Sequence, residues 1–282
     1  MERIYRFADI TFRIAGKDGE MYEEDGVLAP FRVTDRKWDQ SIWFETVEQL
    51  PEQEGERVFL GGRIQVFRKE DVQISVLGTP AEAHTRISSQ GNQTWVQVLR
   101  SQVPDRIMPR LVLNSLEAEH HIVRHGGILL HSSFIRVEDS AILFTAPSGT
   151  GKSTQAELWK KYRGAEVING DRTAVVPTGD AVMAYGIPYC GTSGICRDAK
   201  LPVAAIVCLS QAPQDRVEPL MGMRAFRNLW EGCSVNLWDR EDVELCTKGV
   251  MEVIRQVPVV HLACTPEKSA VETLEAYLRK GR

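Results

Sequence analysis

The stretch Ala146-Pro-Ser-Gly-Thr-Gly-Lys-Ser153 constrains this chain more than any other. It follows Ser140-Ala-Ile-Leu-Phe-Thr145, an apolar run of a length suited to a buried strand. It precedes Thr154-Gln-Ala-Glu-Leu-Trp-Lys-Lys161, where Ala156 and Trp159/Lys160 recur at helical spacing. A glycine-rich loop between a strand and a helix is the setting of a phosphate-binding loop, and only the pattern's first glycine is replaced, by Ala146. Gly149 and Gly151 let the backbone curl so that successive N–H groups point at phosphate oxygens. The helix N-terminus adds partial positive charge at the same place. Lys152 has the reach for β- and γ-phosphates, and Ser153 offers a hydroxyl to Mg²⁺. The expected ligand is a nucleoside triphosphate or a similar polyphosphate.

Composition narrows the partners. The 282 residues suffice for one large or two moderate domains, and 43% hydrophobic with 26% charged residues is ordinary for a globular chain. A formal net charge of −4 provides no bulk field for nucleic acid or anionic lipid, so neither is expected as a partner. No segment approaches the ~18 consecutive apolar residues of a membrane span. The start, Met1-Glu-Arg-Ile-Tyr-Arg6, lacks the apolar core of a signal peptide, and a cytoplasmic location is expected. The cysteines, Cys190, Cys196, Cys208, Cys233, Cys246 and Cys264, form no close C-x-x-C pair. They are expected reduced rather than metal-bound.

Two regions differ in pattern. Up to about residue 105, short β-branched and aromatic runs (Ile10–Ile14, Ser41–Glu45, Arg57–Leu60, Ile64–Phe67, Trp95–Leu99) alternate with Gly and Pro clusters. This predicts a mostly antiparallel β domain over 1–105 with no acid–base cluster of its own. Pro104 and Pro109 mark a boundary, after which Arg110–Arg124 reads as a helix ending before Gly126-Gly127. From there strands (Ile128–Ile135, Ala141–Thr145, Glu166–Ile168, Thr173–Val176, Ala204–Leu209) alternate with helices at 151–162, 222–231, 239–256 and 266–280. The expectation for 106–282 is an α/β domain with a mixed sheet. The adjacent His120 and His121 point to different helix faces and read as surface residues.

Three motifs in order suggest a family. They are Gly127-Ile-Leu-Leu-His131, the Ser148-Gly-Thr-Gly-Lys-Ser153 loop, and Val167-Ile-Asn-Gly-Asp171-Arg172. Together they resemble HPr kinase/phosphorylase over roughly residues 110–210, within the wider phosphoenolpyruvate carboxykinase clan of the same P-loop fold. Within that resemblance the chain is most similar to the HPr-kinase-like serine kinases that tailor lasso peptides. The resemblance implies an ATP- and Mg²⁺-dependent kinase acting on a serine of a peptide or small protein. It makes Ser148, Gly149, Thr150, Gly151, Lys152, Ser153 and Thr154 the nucleotide-binding set, Ser153 and Asp171 the metal-holding pair, and His131, Lys152 and Asp171 the catalytic group. The family places two adjacent aspartates where this chain has Gly170-Asp171, one a base and the other a metal ligand. Asp171 keeps the Arg neighbour of the second, and the base is unaccounted for. A catalytically weakened nucleotide-binding regulator of the same fold is the rival expectation. A carboxykinase proper is disfavoured, being far longer.

The residues themselves leave alternatives open. His131 in an apolar strand suits a hydrogen-bonded core histidine as well as a phosphate contact, and Asp171 suits a turn cap as well as a metal ligand. Tyr189-Cys-Gly-Thr-Ser-Gly194 reads either as an anion-binding nest or as an ordinary tight turn. Glu157 and Arg172 belong either to the site or to a solvated surface. The β domain is expected to orient the acceptor, and the oligomeric state is left open, a homo-oligomer included.

Overall fold

A computed structural model describes residues 2–17, 26–79, 82–101 and 109–280, the side chains of residues 109 and 110 excepted. The boundary expected at Pro104 and residue 105 lies outside these residues. Contacts divide the chain into Met1–Glu117 and Ala118–Arg282.

The first unit is one nine-stranded mixed sheet. Its strands are β1 (Glu2–Phe7), β2 (Ile10–Gly16), β3 (Arg32–Val33), β4 (Gln40–Val47), β5 (Glu56–Gly61), β6 (Ile64–Lys69), β7 (Val72–Thr79), β8 (Glu82–Gln90) and β9 (Gln93–Leu99). They lie in the order β3-β1-β2-β4-β9-β8-β7-β6-β5. Alternation sets the faces: Phe12, Ile14, Ile42, Phe44, Val96 and Val98 are buried, while Arg13, Trp43 and Gln97 stand on the opposite side. The pairings are antiparallel except at the centre, where β4 runs parallel to both β2 and β9.

The helix expected over 110–124 is two helices, α1 (Pro109–Ser115) and α2 (Ala118–Arg124). Glu117 breaks the run by adopting φ 44°, a left-handed conformation that cannot continue a right-handed helix. The expectation that His120 and His121 are surface residues is corrected. His121 is buried, and His120 Nδ1 lies 2.9 Å from a carboxylate oxygen of the fully buried Asp242. Both faces of α2 are occupied because the helix packs on the α5 helix (Arg240–Gln256) and on strand β10 (Ile128–Val137).

The second unit contains a second mixed sheet. In chain order its elements are β10 (Ile128–Val137), β11 (Ser140–Thr145), α3 (Lys152–Arg163), β12 (Glu166–Asn169), β13 (Arg172–Thr178), β14 (Ala181–Gly186), β15 (Lys200–Gln211), β16 (Arg216–Pro219), α4 (Gly222–Gly232), β17 (Cys233–Ser234), α5, β18 (Val259–Cys264) and α6 (Lys268–Lys280). The main path is β11-β10-β13-β14-β15-β18-β16, and β11 also pairs with β15. Helices cover both faces of this sheet. Leu229 of α4 and Val250 and Val253 of α5 pack with Ile128, Val175 and Ile206, while Ala156 and Trp159 of α3 and Val271 and Leu274 of α6 pack with Phe144, Val207 and Leu262.

The long strand β10 changes neighbours midway: Ile128–His131 pair with β13 and Leu129–Leu130 with β17, whereas Ser132–Val137 pair with β11 and Phe134–Arg136 with β12. His131 is the last residue of the first half, so it sits at the handover, beside the start of β13 and the end of β11. No helix among the described residues is long and apolar enough to cross a membrane. All six cysteines are free thiols.

Candidate active site

The loop after β11 has the shape its composition predicts. Gly149 and Gly151 adopt φ 80° and 120°, values that favour glycine, and α3 begins immediately at Lys152. The N-cap, Gly151, makes no side-chain cap hydrogen bond to that helix start. Ser148, Gly149, Ser153 and Thr154 are exposed, and Thr150 and Gly151 half-buried. Lys152 is buried and folded back on its own loop, its Nζ donating to the carbonyls of Ala146 at 2.9 Å and Pro147 at 3.4 Å. Burial lowers its pKa, and the nearby Asp171 carboxylate opposes that shift.

Asp171 is placed by a turn that the sequence motifs do not advertise. Asn169, fully buried at the end of β12, accepts from the backbone N–H groups of Asp171 (2.9 Å) and Arg172 (3.1 Å) through Oδ1. Its Nδ2 donates to Ile187 O at 2.8 Å. This side-chain turn, typical of asparagine, swings the chain from β12 into β13. Arg172 then pairs with His131 in the sheet register, and Ser132 N–H donates to Asp171 O at 2.9 Å. His131 Nε2 comes within 3.5 Å of Asp171 Oδ1, and Arg172 Nε within 3.7 Å of Oδ2. The Asp171 pKa is lowered, first by the His131 ring and then by the charges of Arg172, His131 and Lys152, against the cost of burial. The carboxylate is ionised at neutral pH.

The second glycine-rich loop comes to the same place. Gly191 packs against Asp171 so closely that a Cβ there would lie 2.8 Å from the Asp171 carboxyl carbon. Ser193 occupies the space beside Gly170. A Cβ at residue 170 would fall on the Ser193 hydroxyl and 2.6 Å from its Cβ. Ser193 Oγ donates to Cys190 O at 2.6 Å and accepts from Ile195 N–H at 3.2 Å. Position 170, where the family resemblance implies a second aspartate, therefore has no room for a side chain while this loop stands. Arg172 also lies over the Tyr189 ring, 5.8 Å from its centre. Glu157, by contrast, points along the exposed side of α3, 3.5 Å from Lys160.

The fold thus gathers His131, Asp171, Arg172 and the 190–194 loop into one cluster, with Lys152 within electrostatic range of Asp171. Ser193 belongs to the hydroxyl-bearing loop that the sequence marks as a nest or a tight turn, whereas the role of Asn169 is signalled only by the Asn-Gly pair at 169–170, an ordinary turn signal. A hydroxyl at Ser153 and a carboxylate at Asp171 are hard oxygen donors, the kind Mg²⁺ takes.

No family model matches the chain, and no curated protein matches it. Among solved structures, the Hpr(Ser) kinase/phosphatase from Coxiella burnetii is similar over 54% of this chain and 97% of its own, with 14% sequence identity and a TM-score of 0.32.

Proposed function

We propose that the second unit transfers the terminal phosphoryl group of ATP to a serine hydroxyl of a peptide or small protein. The observation that carries this reading is the pairing of a glycine-turned loop and helix start with an ionised Asp171 held beside His131. Phosphoryl transfer asks mainly for positioning and charge stabilisation, and these residues can supply both. The N–H groups of residues 148–153 would hold the phosphates, and Lys152 would exchange its loop carbonyls for β- and γ-phosphate oxygens. Ser153 and Asp171 would hold Mg²⁺, which would neutralise charge on the phosphates. Arg172 would add positive charge near the transferring group, and His131 would keep the Asp171 carboxylate ionised and oriented. A loose transition state demands little of a base, so Gly170 is compatible with a slow forward kinase.

The first unit would hold the acceptor. Strand β5 is terminal in the sheet among the described residues and exposes Val58 and Leu60, features that suit addition of an extended peptide. A second reading, a nucleotide-binding regulator without transfer, is favoured by the missing carboxylate at Gly170. Mg-ATP binding by calorimetry, together with mass spectrometry of serine peptides incubated with protein and Mg-ATP, separates the two. A gain of one phosphate on serine, lost in Lys152→Ala, supports the kinase. ATP binding without transfer to any peptide supports the regulator.

A further inference from the structure

The phosphate loop does not sit alone at the end of its strand. Its strand β11 has β10 on one side and β15 on the other, and the two flanks differ in chemistry. On the β10 flank stand His131, Asp171 and Arg172, already packed against the 190–194 loop. On the β15 flank a cavity of about 530 Å³ opens directly from the loop. Its floor is Gly149, Gly151 and Thr154, and its far wall is Cys264, Thr265 and Pro266 beyond the end of β18. A volume of that size lies within the roughly 300–1,000 Å³ of small-molecule sites.

The geometry points to this cavity as the nucleoside subsite, with the donor lying across the loop. Its purine and ribose would rest over the ends of β15 and β18, and its terminal phosphate would face His131 and Asp171. This rests on the reading of the loop as a nucleotide site and adds which flank takes the nucleoside and which residues hold it.

Three features support the assignment. First, Ala212, Cys264 and Pro266 present apolar surface for an aromatic base, whereas the opposite flank is lined by charge. Second, the wall is fixed in advance. Asp215 accepts from Thr265 N–H at 2.7 Å, from the Thr265 hydroxyl at 3.1 Å and from the Ser269 hydroxyl, pinning the turn into α6. A preorganised wall spends little entropy on binding. Third, Gln155 lines the cavity with its amide fixed, Nε2 donating to Cys264 Sγ at 3.3 Å and to Thr265 O at 3.4 Å, which ties the start of α3 to the far wall. Gln211 closes the rim with long contacts to Gly149 O and Thr150 O, at 3.5 and 3.4 Å, which a ligand can displace.

The test compares Mg-ATP with Mg-tripolyphosphate, which has the phosphates and no nucleoside, by calorimetry on the full chain. The wild type is expected to bind ATP more tightly than tripolyphosphate. Ala212→Trp, which fills the cavity, should weaken ATP by about tenfold or more while leaving tripolyphosphate within about twofold. Gln211→Ala at the exposed rim, which threatens the fold less, should weaken ATP alone by a smaller factor. 8-azido-ATP should label the peptide containing residues 264–266. ATP affinity unchanged in both variants, with label elsewhere, would place the nucleoside on another surface while Lys152→Ala still abolished binding and upheld the loop. Failure of the wild type to bind either ligand would overturn the loop reading and this inference with it.

Discussion

Gly170 offers the sharpest test of how the second loop is fitted to the site. A methyl group at residue 170 would land on the Ser193 hydroxyl and 2.6 Å from its Cβ, far inside van der Waals contact. The loop has little freedom to retreat. Gly170 N–H donates to Ile195 O at 3.2 Å, Arg197 N–H donates to Ile168 O at 3.0 Å, and Asn169 bridges to Cys196. Gly170→Ala should therefore cost about 1–3 kcal/mol as an overpacking substitution. Ser193→Gly removes two hydrogen bonds from an exposed residue and should cost about 1 kcal/mol. In the double variant the nearest remaining neighbour of the new methyl is Cys190 O at 3.8 Å, an ordinary contact. The alanine should then be nearly free, so the double variant should be more stable than the sum of the singles by about 1–3 kcal/mol. Urea denaturation of the four proteins measures this coupling. Additivity within about 0.5 kcal/mol would refute the idea that Ser193 excludes a side chain at residue 170. With coupling established, Gly170→Asp in the Ser193→Gly background admits a second carboxylate, and its phosphotransfer should exceed that of the Ser193→Gly parent.

Lys152→Ala should lower turnover by a factor on the order of 10²–10³ with the melting temperature nearly unchanged, and equal turnover would count against its phosphate role. Asp171→Asn should raise the Mg²⁺ concentration needed for half-maximal rate, whereas His131→Ala should lower the rate at unchanged Mg²⁺ demand, and matching Mg²⁺ titrations for the two would contradict their division of labour. His121 should make the protein acid-sensitive. Burial, then the charges of His120, His125 and Arg124, lowers its pKa from 6.5 to about 3, so between these values the unfolded chain binds a proton that the folded one refuses. Stability should fall as pH drops through that window, by about 2 kcal/mol at about pH 5, and His121→Phe should flatten the slope; an unchanged slope in that variant would count against a neutral buried imidazole. Asn169→Ala leaves the Asp171 and Arg172 N–H groups without their acceptor and should cost about 1–3 kcal/mol, read by denaturation alongside weakened Mg²⁺ dependence; an unchanged midpoint and Mg²⁺ titration would mean the turn holds without it.

The glycine-rich loop and the elements around it were legible because their signals are local. Ala146–Ser153 carries its own backbone demands in Gly149 and Gly151, and α3, α4, α5 and α6 follow helical periodicity to within a residue or two. The buried strands β10, β11 and β15 likewise declared themselves as apolar runs. Less regular elements were hidden. Strands β7 and β8 mix polar residues with apolar ones because one face of their sheet is exposed, and Glu117 splits an apparently continuous helix through one backbone angle.

What the sequence alone determined was the backbone of the loop around Gly149 and Gly151 and the start of α3 at Lys152, since glycine conformation and helix polarity act within a few residues. Only the tertiary structure decided what stands beside it. The antiparallel register of β10 with β13 brings His131 to Arg172 and Asp171, forty residues away in the chain. The 190–194 loop folds back until Ser193 fills the space at Gly170. Strands β15 and β18 align so that Gln211 and Thr265 flank the loop start. These juxtapositions arise from strand register and packing between distant segments, and no local pattern of residue types encodes them.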